Sequence, residues 1–356
     1  MALLLAGLEP ASSAEVCGDC HRAIHEAWKS SAHARAMESR LFQDVLAIAA
    51  GEFGAGSRKV CLGCHAPVAV ATGDFALVKK VSWEGVTCEF CHSIKDVHMG
   101  TPNPRVTVHF SDVKTGPLKD AVSSGHATAY SAVHSSSRVC APCHEYRNPL
   151  GFQVLTTYSE WQNSAHGKQG RECQSCHMST VAGAVVDPRV KRVGMAKINL
   201  HQMPGSHSLA QLTSTIRANL MASRENEKLF VAVDLVNHGA GHFVPTGSPL
   251  RQIVLEVRAD TNSGRHSREE RVYTRKVADQ RGAPIASEAA AFLKGARVLS
   301  DTRLAPGEKR TEKFTFDLPR GDTAQVRASL WYCYSPLERK ESEKKIAFLT
   351  ISRLVR

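Results

Sequence analysis

Cys17-Gly-Asp-Cys20-His21, Cys61-Leu-Gly-Cys64-His65, Cys88-Glu-Phe-Cys91-His92, Cys140-Ala-Pro-Cys143-His144 and Cys173-Gln-Ser-Cys176-His177 repeat one pentapeptide five times in a chain of 356 residues. Two thiols three positions apart lie on one helical turn, a spacing that suits addition to the two vinyl groups of a porphyrin. The adjoining imidazole then reaches the iron. Paired cysteines also build zinc sites and disulfides, but neither requires a histidine after every pair. Zinc draws on two pairs, or on one pair with distant ligands, and here the pairs are odd in number.

The reading is therefore five covalent haems c. Cys17, Cys20, Cys61, Cys64, Cys88, Cys91, Cys140, Cys143, Cys173 and Cys176 are the attachment thiols, and His21, His65, His92, His144 and His177 the proximal iron ligands. One cysteine is left over, Cys333 in Trp331-Tyr-Cys-Tyr334, which reads as a small apolar residue buried in a strand. With no other cysteine to pair, no disulfide framework exists.

The spacing between motifs is too short for each to enclose a core of its own, so the first two hundred residues are expected to fold around porphyrins. Each haem would bury several hundred Å2, on the order of 10 kcal/mol at about 25 cal/mol per Å2. His21 to Ala50 lacks Pro and Gly and repeats apolar residues at helical spacing, which predicts one helix or two in tandem. The motifs are expected to open helices.

Trp28-Lys-Ser-Ser-Ala-His33 recurs as Trp161-Gln-Asn-Ser-Ala-His166, with the histidine placed to serve as a distal ligand beside a packed Trp. Twelve histidines lie outside the motifs, and bis-histidine ligation needs five. His33, His98, His126, His134, His166, His207 and His242 are the distal candidates. Each could instead be a solvated or locally bonded side chain.

From Leu229 the period changes to that of strands: Leu229 to Val236, Gln252 to Val257, Lys313 to Leu318, Gln325 to Trp331 and Lys345 to Ile351. They predict an antiparallel β-sandwich of immunoglobulin-like character, with a helical insertion near Ala286 to Phe292. The expected organisation is a remnant of an export signal over 1–14, a mainly α, haem-packed domain over 15–215 and the sandwich over 225–356. Loop 237–247, Asn237-His-Gly-Ala-Gly-His242-Phe-Val-Pro-Thr-Gly247, is expected to reach a haem through His242.

The formal net charge is +11, and residues 251–356 hold 22 basic against 14 acidic side chains. Haem propionates would offset much of the total, so the basic surplus is either a solvated face or a docking surface on the C-terminal part for an acidic partner or an anionic surface, and does not point to nucleic acid. No stretch approaches the roughly 20 apolar residues of a spanning helix, and a chain whose haem is attached outside the cytoplasmic membrane is expected to be periplasmic or extracellular.

Gly85-Val-Thr-Cys-Glu-Phe-Cys-His92, Thr157-Tyr-Ser-Glu-Trp-Gln-Asn-Ser164, Cys173-Gln-Ser-Cys-His-Met178, His201-Gln-Met-Pro-Gly-Ser-His207 and Ala240-Gly-His-Phe-Val-Pro-Thr-Gly247 together resemble the multihaem c-type cytochromes of the cytochrome c-554 kind. The resemblance implies electron transfer through closely stacked, mostly bis-His haems, between a quinol-linked donor and a terminal reductase or extracellular acceptor. Some relatives instead reduce small nitrogen or sulfur oxyanions at one open iron. That alternative stays open, although the Cys-x-x-Cys-Lys motif found in some of them is absent here.

Overall fold

A computed structural model of the chain describes residues 3–8, 11–191, 194, 196–206, 208–334 and 345–356. It divides into two compact units, one formed by Met1–Tyr158 with His166–His207 and the other by Ser159–Ala165 with Ser208–Arg356. The second unit thus takes seven residues out of the middle of the first. Among the described residues no helix is long and apolar enough to cross a membrane.

The first unit is built from short helices and two- or three-stranded ribbons. The expected helical stretch after the first motif is interrupted, giving Arg22–Lys29 and Arg40–Phe53 with turns between them. Arg40–Phe53 shows why such a segment is helical. Ser39 accepts the Phe42 N–H at 3.3 Å, a cap worth about 1 kcal/mol. Phe42, Leu46 and Ala49 form one buried stripe, and Gly54 at φ 82° ends the helix.

The motifs are expected to open helices, and the outcome is mixed: Ala14–Cys20 and Ser57–His65 end at the pentapeptide, with Arg22–Lys29 following the first at once, whereas Cys88–His92, Ala141–His144 and Gln174–His177 both begin and end within it. The cause is local. The histidine N–H bonds the carbonyl of the first cysteine, as in His21 to Cys17 at 2.8 Å and His177 to Cys173 at 3.0 Å, so the pentapeptide is one complete α-turn. Leu3–Leu8, read from sequence as part of an export signal, runs as a strand parallel to Arg105–Phe110, whose other edge pairs with Ile94–His98.

Apolar side chains in this unit gather in three separate clusters, centred on Val97 and Val106, on Leu62 and Ala69, and on Ala14 and Trp28. The second unit has a single large one.

Seven long strands make that second core: β1 (Ile216–Glu225), β2 (Lys228–Asn237), β3 (Gln252–Thr261), β4 (His266–Tyr273), β5 (Lys309–Asp317), β6 (Ala324–Cys333) and β7 (Ile346–Val355). One antiparallel sheet is ordered β1-β2-β5 and the other β4-β3-β6-β7. Leu229, Val231, Val233 and Leu235 of the first sheet and Ile253, Leu255, Val257, Val326 and Leu330 of the second belong to one buried cluster. Alternation along each strand sends these residues inward and their neighbours out.

Two strands here were not foreseen. β1 falls between the two expected domain spans, and β4 reads His-Ser-Arg-Glu-Glu-Arg-Val-Tyr. It lies at the edge of its sheet, where charge is tolerated and guards against further pairing. The helical insertion appears as Glu288–Lys294, capped by Ser287, and Cys333 is fully buried in β6.

Candidate functional site

Each pentapeptide turn presents two thiols and an imidazole, and the ten motif cysteines are free and half-buried. The imidazoles are fixed through Nδ1. His21 bonds the Val185 carbonyl at 2.8 Å, His92 that of Thr115 at 2.7 Å and His177 that of Pro204 at 2.6 Å, with His65 lying 3.4 Å from Ala36 O. A carbonyl accepts, so Nδ1 carries the hydrogen and Nε2 is left as a lone-pair donor, the tautomer a metal ligand needs. Burial pushes the His92 imidazole down to about 4 against the opposing pull of the Thr115 carbonyl, and burial likewise takes His33 to about 4. Both rings are neutral at neutral pH.

The thiols of different motifs meet. Cys17 lies beside Cys88, Cys64 beside Cys143, and Cys140 beside Cys173. The neighbouring Cys140 thiol draws Cys173 down, while burial pushes Cys61 and Cys91 up to about 11. Attachment turns one and three, two and four, and four and five are therefore immediate neighbours.

Opposite three motif histidines stands a second imidazole at one common separation. His21 and His126, His33 and His144, and His92 and His201 all have ring centroids 6.2 Å apart. Bonds of about 2.0–2.1 Å from each imidazole place two rings on one metal with centroids roughly 6.3 Å apart. Free thiols in pairs, Nδ1-anchored imidazoles and this spacing fit haem c, whose iron these imidazole pairs would hold. Among the described residues no three His, Cys, Asp or Glu side chains are grouped to hold a metal ion by themselves.

His33 is set by the first Trp-x-x-Ser-Ala-His segment. Trp28 is buried and donates Nε1–H to Val86 O at 2.9 Å, and the buried Ser31 hydroxyl accepts the Ala34 N–H at 3.1 Å. The His33 carbonyl accepts the Val86 N–H at 3.0 Å, and Gly85, at φ 71°, packs so closely that a Cβ would lie 2.1 Å from that carbonyl oxygen. Only glycine fits there. This explains the Gly85-Val-Thr lead into the third motif.

The other candidates fall differently. His126 faces His21, with Nδ1 3.0 Å from Ala127 O. His134 stacks near His92 at 5.6 Å and 13°, but its Nε2 is engaged by Cys91 O at 2.9 Å. His201, passed over in the sequence reading, is the ring whose separation from His92 matches ligation. Its Nδ1 is anchored to Asn199 O at 2.8 Å.

His98 ends an edge strand on the side opposite buried Val97, exposed, with Nε2 3.0 Å from Thr107 Oγ1 and Nδ1 3.6 Å from Asp96. Its ring is engaged by these two surface partners. His166 sits half-buried in the short helix Ala165–Lys168, its pKa lowered by burial and by Arg171. His207 lies outside the described residues.

His242 belongs to the second unit, with Nδ1 2.9 Å from Phe243 O. Its loop is braced from within. Fully buried Asn237 donates to the carbonyls of His242 and Leu304 at 3.0 and 3.1 Å and accepts the Ala240 N–H at 3.2 Å. Glu160 accepts from Phe243 N at 3.1 Å and from the Thr246 hydroxyl at 2.7 Å, and forms a 2.7 Å ion pair with buried Arg303.

A family model described as cytochrome c554 and c-prime matches residues 16–93. Cytochrome c-554 of Nitrosomonas europaea is 28% identical over 148 residues, 39% of this chain and 60% of the relative, so the chain spans about 60% of the length of the curated relative it matches. The crystal structure of a penta-haem cytochrome c552 from Thermochromatium tepidum is similar with a TM-score of 0.75 and 23% identity, covering 97% of this chain and 99% of that one. At that identity the likeness is one of fold.

Proposed function

We propose that the chain is a multihaem c-type cytochrome that carries five covalent haems c and passes single electrons between redox proteins, a reading supported by the match of residues 16–93 to the cytochrome c554 and c-prime model and by the likeness to a penta-haem cytochrome. The haems supply one-electron storage at iron. The ten motif thiols would hold them, and the five motif histidines, of which His21, His65, His92 and His177 are held through Nδ1, would bind the irons. His126, His201 and His33 would complete the sites of the first, third and fourth motifs.

The observation that carries the reading is the single 6.2 Å separation shared by three imidazole pairs, each joining a motif histidine to one outside the motifs. The thiol meetings between motifs one and three, two and four, and four and five support rapid exchange between sites. The strand order β1-β2-β5 with β4-β3-β6-β7 around one core supports an immunoglobulin-like sandwich. An exported location, periplasmic or extracellular, follows from where haem c is attached, and the basic surplus in residues 251–356 suits an acidic partner.

The test is spectroscopic. Pyridine haemochrome analysis should give five haems per chain, and the EPR spectrum of the oxidised protein should be dominated by low-spin signals including at least three bis-His centres. Four or fewer haems would defeat the count. Fewer than three low-spin centres would defeat the ligand pairs, and a substrate-sensitive high-spin centre would favour a reductase of a nitrogen or sulfur oxyanion.

A further inference from the structure

The three imidazoles that face motif histidines are not anchored alike. His126 and His201 have Nδ1 on carbonyl oxygens, at 3.0 and 2.8 Å, whereas Nδ1 of His33 meets Sδ of Met203 at 2.7 Å. We propose that Met203 is a positioning residue that tunes one redox centre. Its thioether, held against His33, makes the site of Cys140, Cys143, His144 and His33 the highest in potential of the three bis-His sites.

This rests on the reading of His33 as a ligand. With Nε2 turned to the iron, Nδ1 carries the hydrogen and donates it. A carbonyl oxygen pulls strongly on that hydrogen and leaves the ring more basic, whereas thioether sulfur is a weak acceptor. His33 is then the poorer electron donor to its metal, and a poorer donor favours the reduced state.

The contact is built and not incidental. Met203 has φ 42°, a left-handed conformation rare for a residue with a side chain and doubly awkward before Pro204. It packs against the cluster of Ala14, Trp28 and Ala34. Its neighbours are employed too, His201 opposite His92 and the Pro204 carbonyl on Nδ1 of His177 at 2.6 Å. His201, Met203 and Pro204, within a span of four residues, thus serve three sites.

The experiment uses the full-length holoprotein and potentiometric titration of the individual low-spin EPR signals in wild type, Met203→Gln, Met203→Leu and His33→Ala. Gln presents an amide oxygen in place of sulfur and should make reduction of one centre about tenfold less favourable, 59 mV for a one-electron couple, with the other centres unmoved. Leu offers no acceptor, so the same centre should stay the highest of the three or rise.

His33→Ala tests the reading underneath and should turn the signal of that same centre high-spin. If His33→Ala leaves every signal low-spin, the ligand assignment fails and the proposal with it. If it converts one centre but Met203→Gln shifts no potential, or shifts a different one, the role of Met203 is overturned while the ligand assignment stands.

Discussion

At the scale of single residues, what decides function is which nitrogen of a histidine is already spoken for. Five histidines stand out in the sequence because each follows a cysteine pair, and His33 and His126 are among the further candidates it offers. His201 is not, although it sits in a segment that carries the resemblance. Nothing in the order of residues says that Asn199 O anchors its Nδ1 while Cys91 O engages Nε2 of His134. A direct comparison follows. His201→Ala should convert one low-spin haem to high spin in EPR, whereas His134→Ala should leave the low-spin signals in place; the reverse result would exchange the roles of the two rings.

Gly85 gives a second prediction. A methyl group there meets the His33 carbonyl in a left-handed backbone, so Gly85→Ala should cost about 1–3 kcal/mol in holoprotein stability by thermal unfolding and broaden the signal of the His33 site.

At the scale of elements, the sequence showed strands wherever apolar residues alternate and concealed them wherever charge pairs replace that pattern. β4 is the clearest case. Arg268 meets Glu256 of β3 at 2.7 Å, so its polar residues are satisfied across the sheet edge. Motif turns were visible as chemistry but not as helix ends, since the bond from histidine N–H back to the first cysteine is a property of the backbone.

Ser159–Ala165 shows the limit most sharply, because nothing in its sequence says that Glu160 is sequestered with Arg303, whose other carboxylate, Asp301, lies at 2.8 Å. Burial raises the Asp301 carboxyl, but the hydrogen bond and charge of Arg303 outweigh it and hold the group below the usual carboxylate range. Its stabilising contribution is therefore present above about pH 4 and lost as pH falls through the depressed folded value. Arg303→Met strands two acids and should cost about 3–5 kcal/mol at neutral pH by denaturant unfolding. The gap from wild type should narrow below about pH 4; a gap that widens on acidification would contradict this account.

At the scale of the molecule, a two-part organisation was legible because the hydrophobic period changes, but its boundary was not. The border depends on what Ser159–Ala165 packs with, and composition carries no trace of that. Among the described residues one unit has a continuous apolar core and the other three separate clusters, so chain made without haem attachment should lose the first unit and keep the second. Limited proteolysis of haem-free chain with mass spectrometry should yield a resistant core that begins near Ser208 and retains the Ser159–Ala165 peptide; uniform digestion would show that the strands depend on haem as well.

The basic surplus of residues 251–356, 22 basic against 14 acidic side chains, predicts that electron transfer to an acidic partner slows from low salt to about 0.5 M, and an unchanged bimolecular rate would exclude electrostatic docking.

The borrowed segment also alters what a broken chain would be. A cut in the exposed stretch Arg189 to Lys191 divides the polypeptide into a piece bearing every haem motif and a piece bearing all seven long strands. The first piece still owns Glu160, which Arg303, Phe243 and Thr246 of the second require. Such a nicked protein should run as one species on a native sizing column and as two in denaturing gels, so the molecule is in effect a split pair whose halves complement each other.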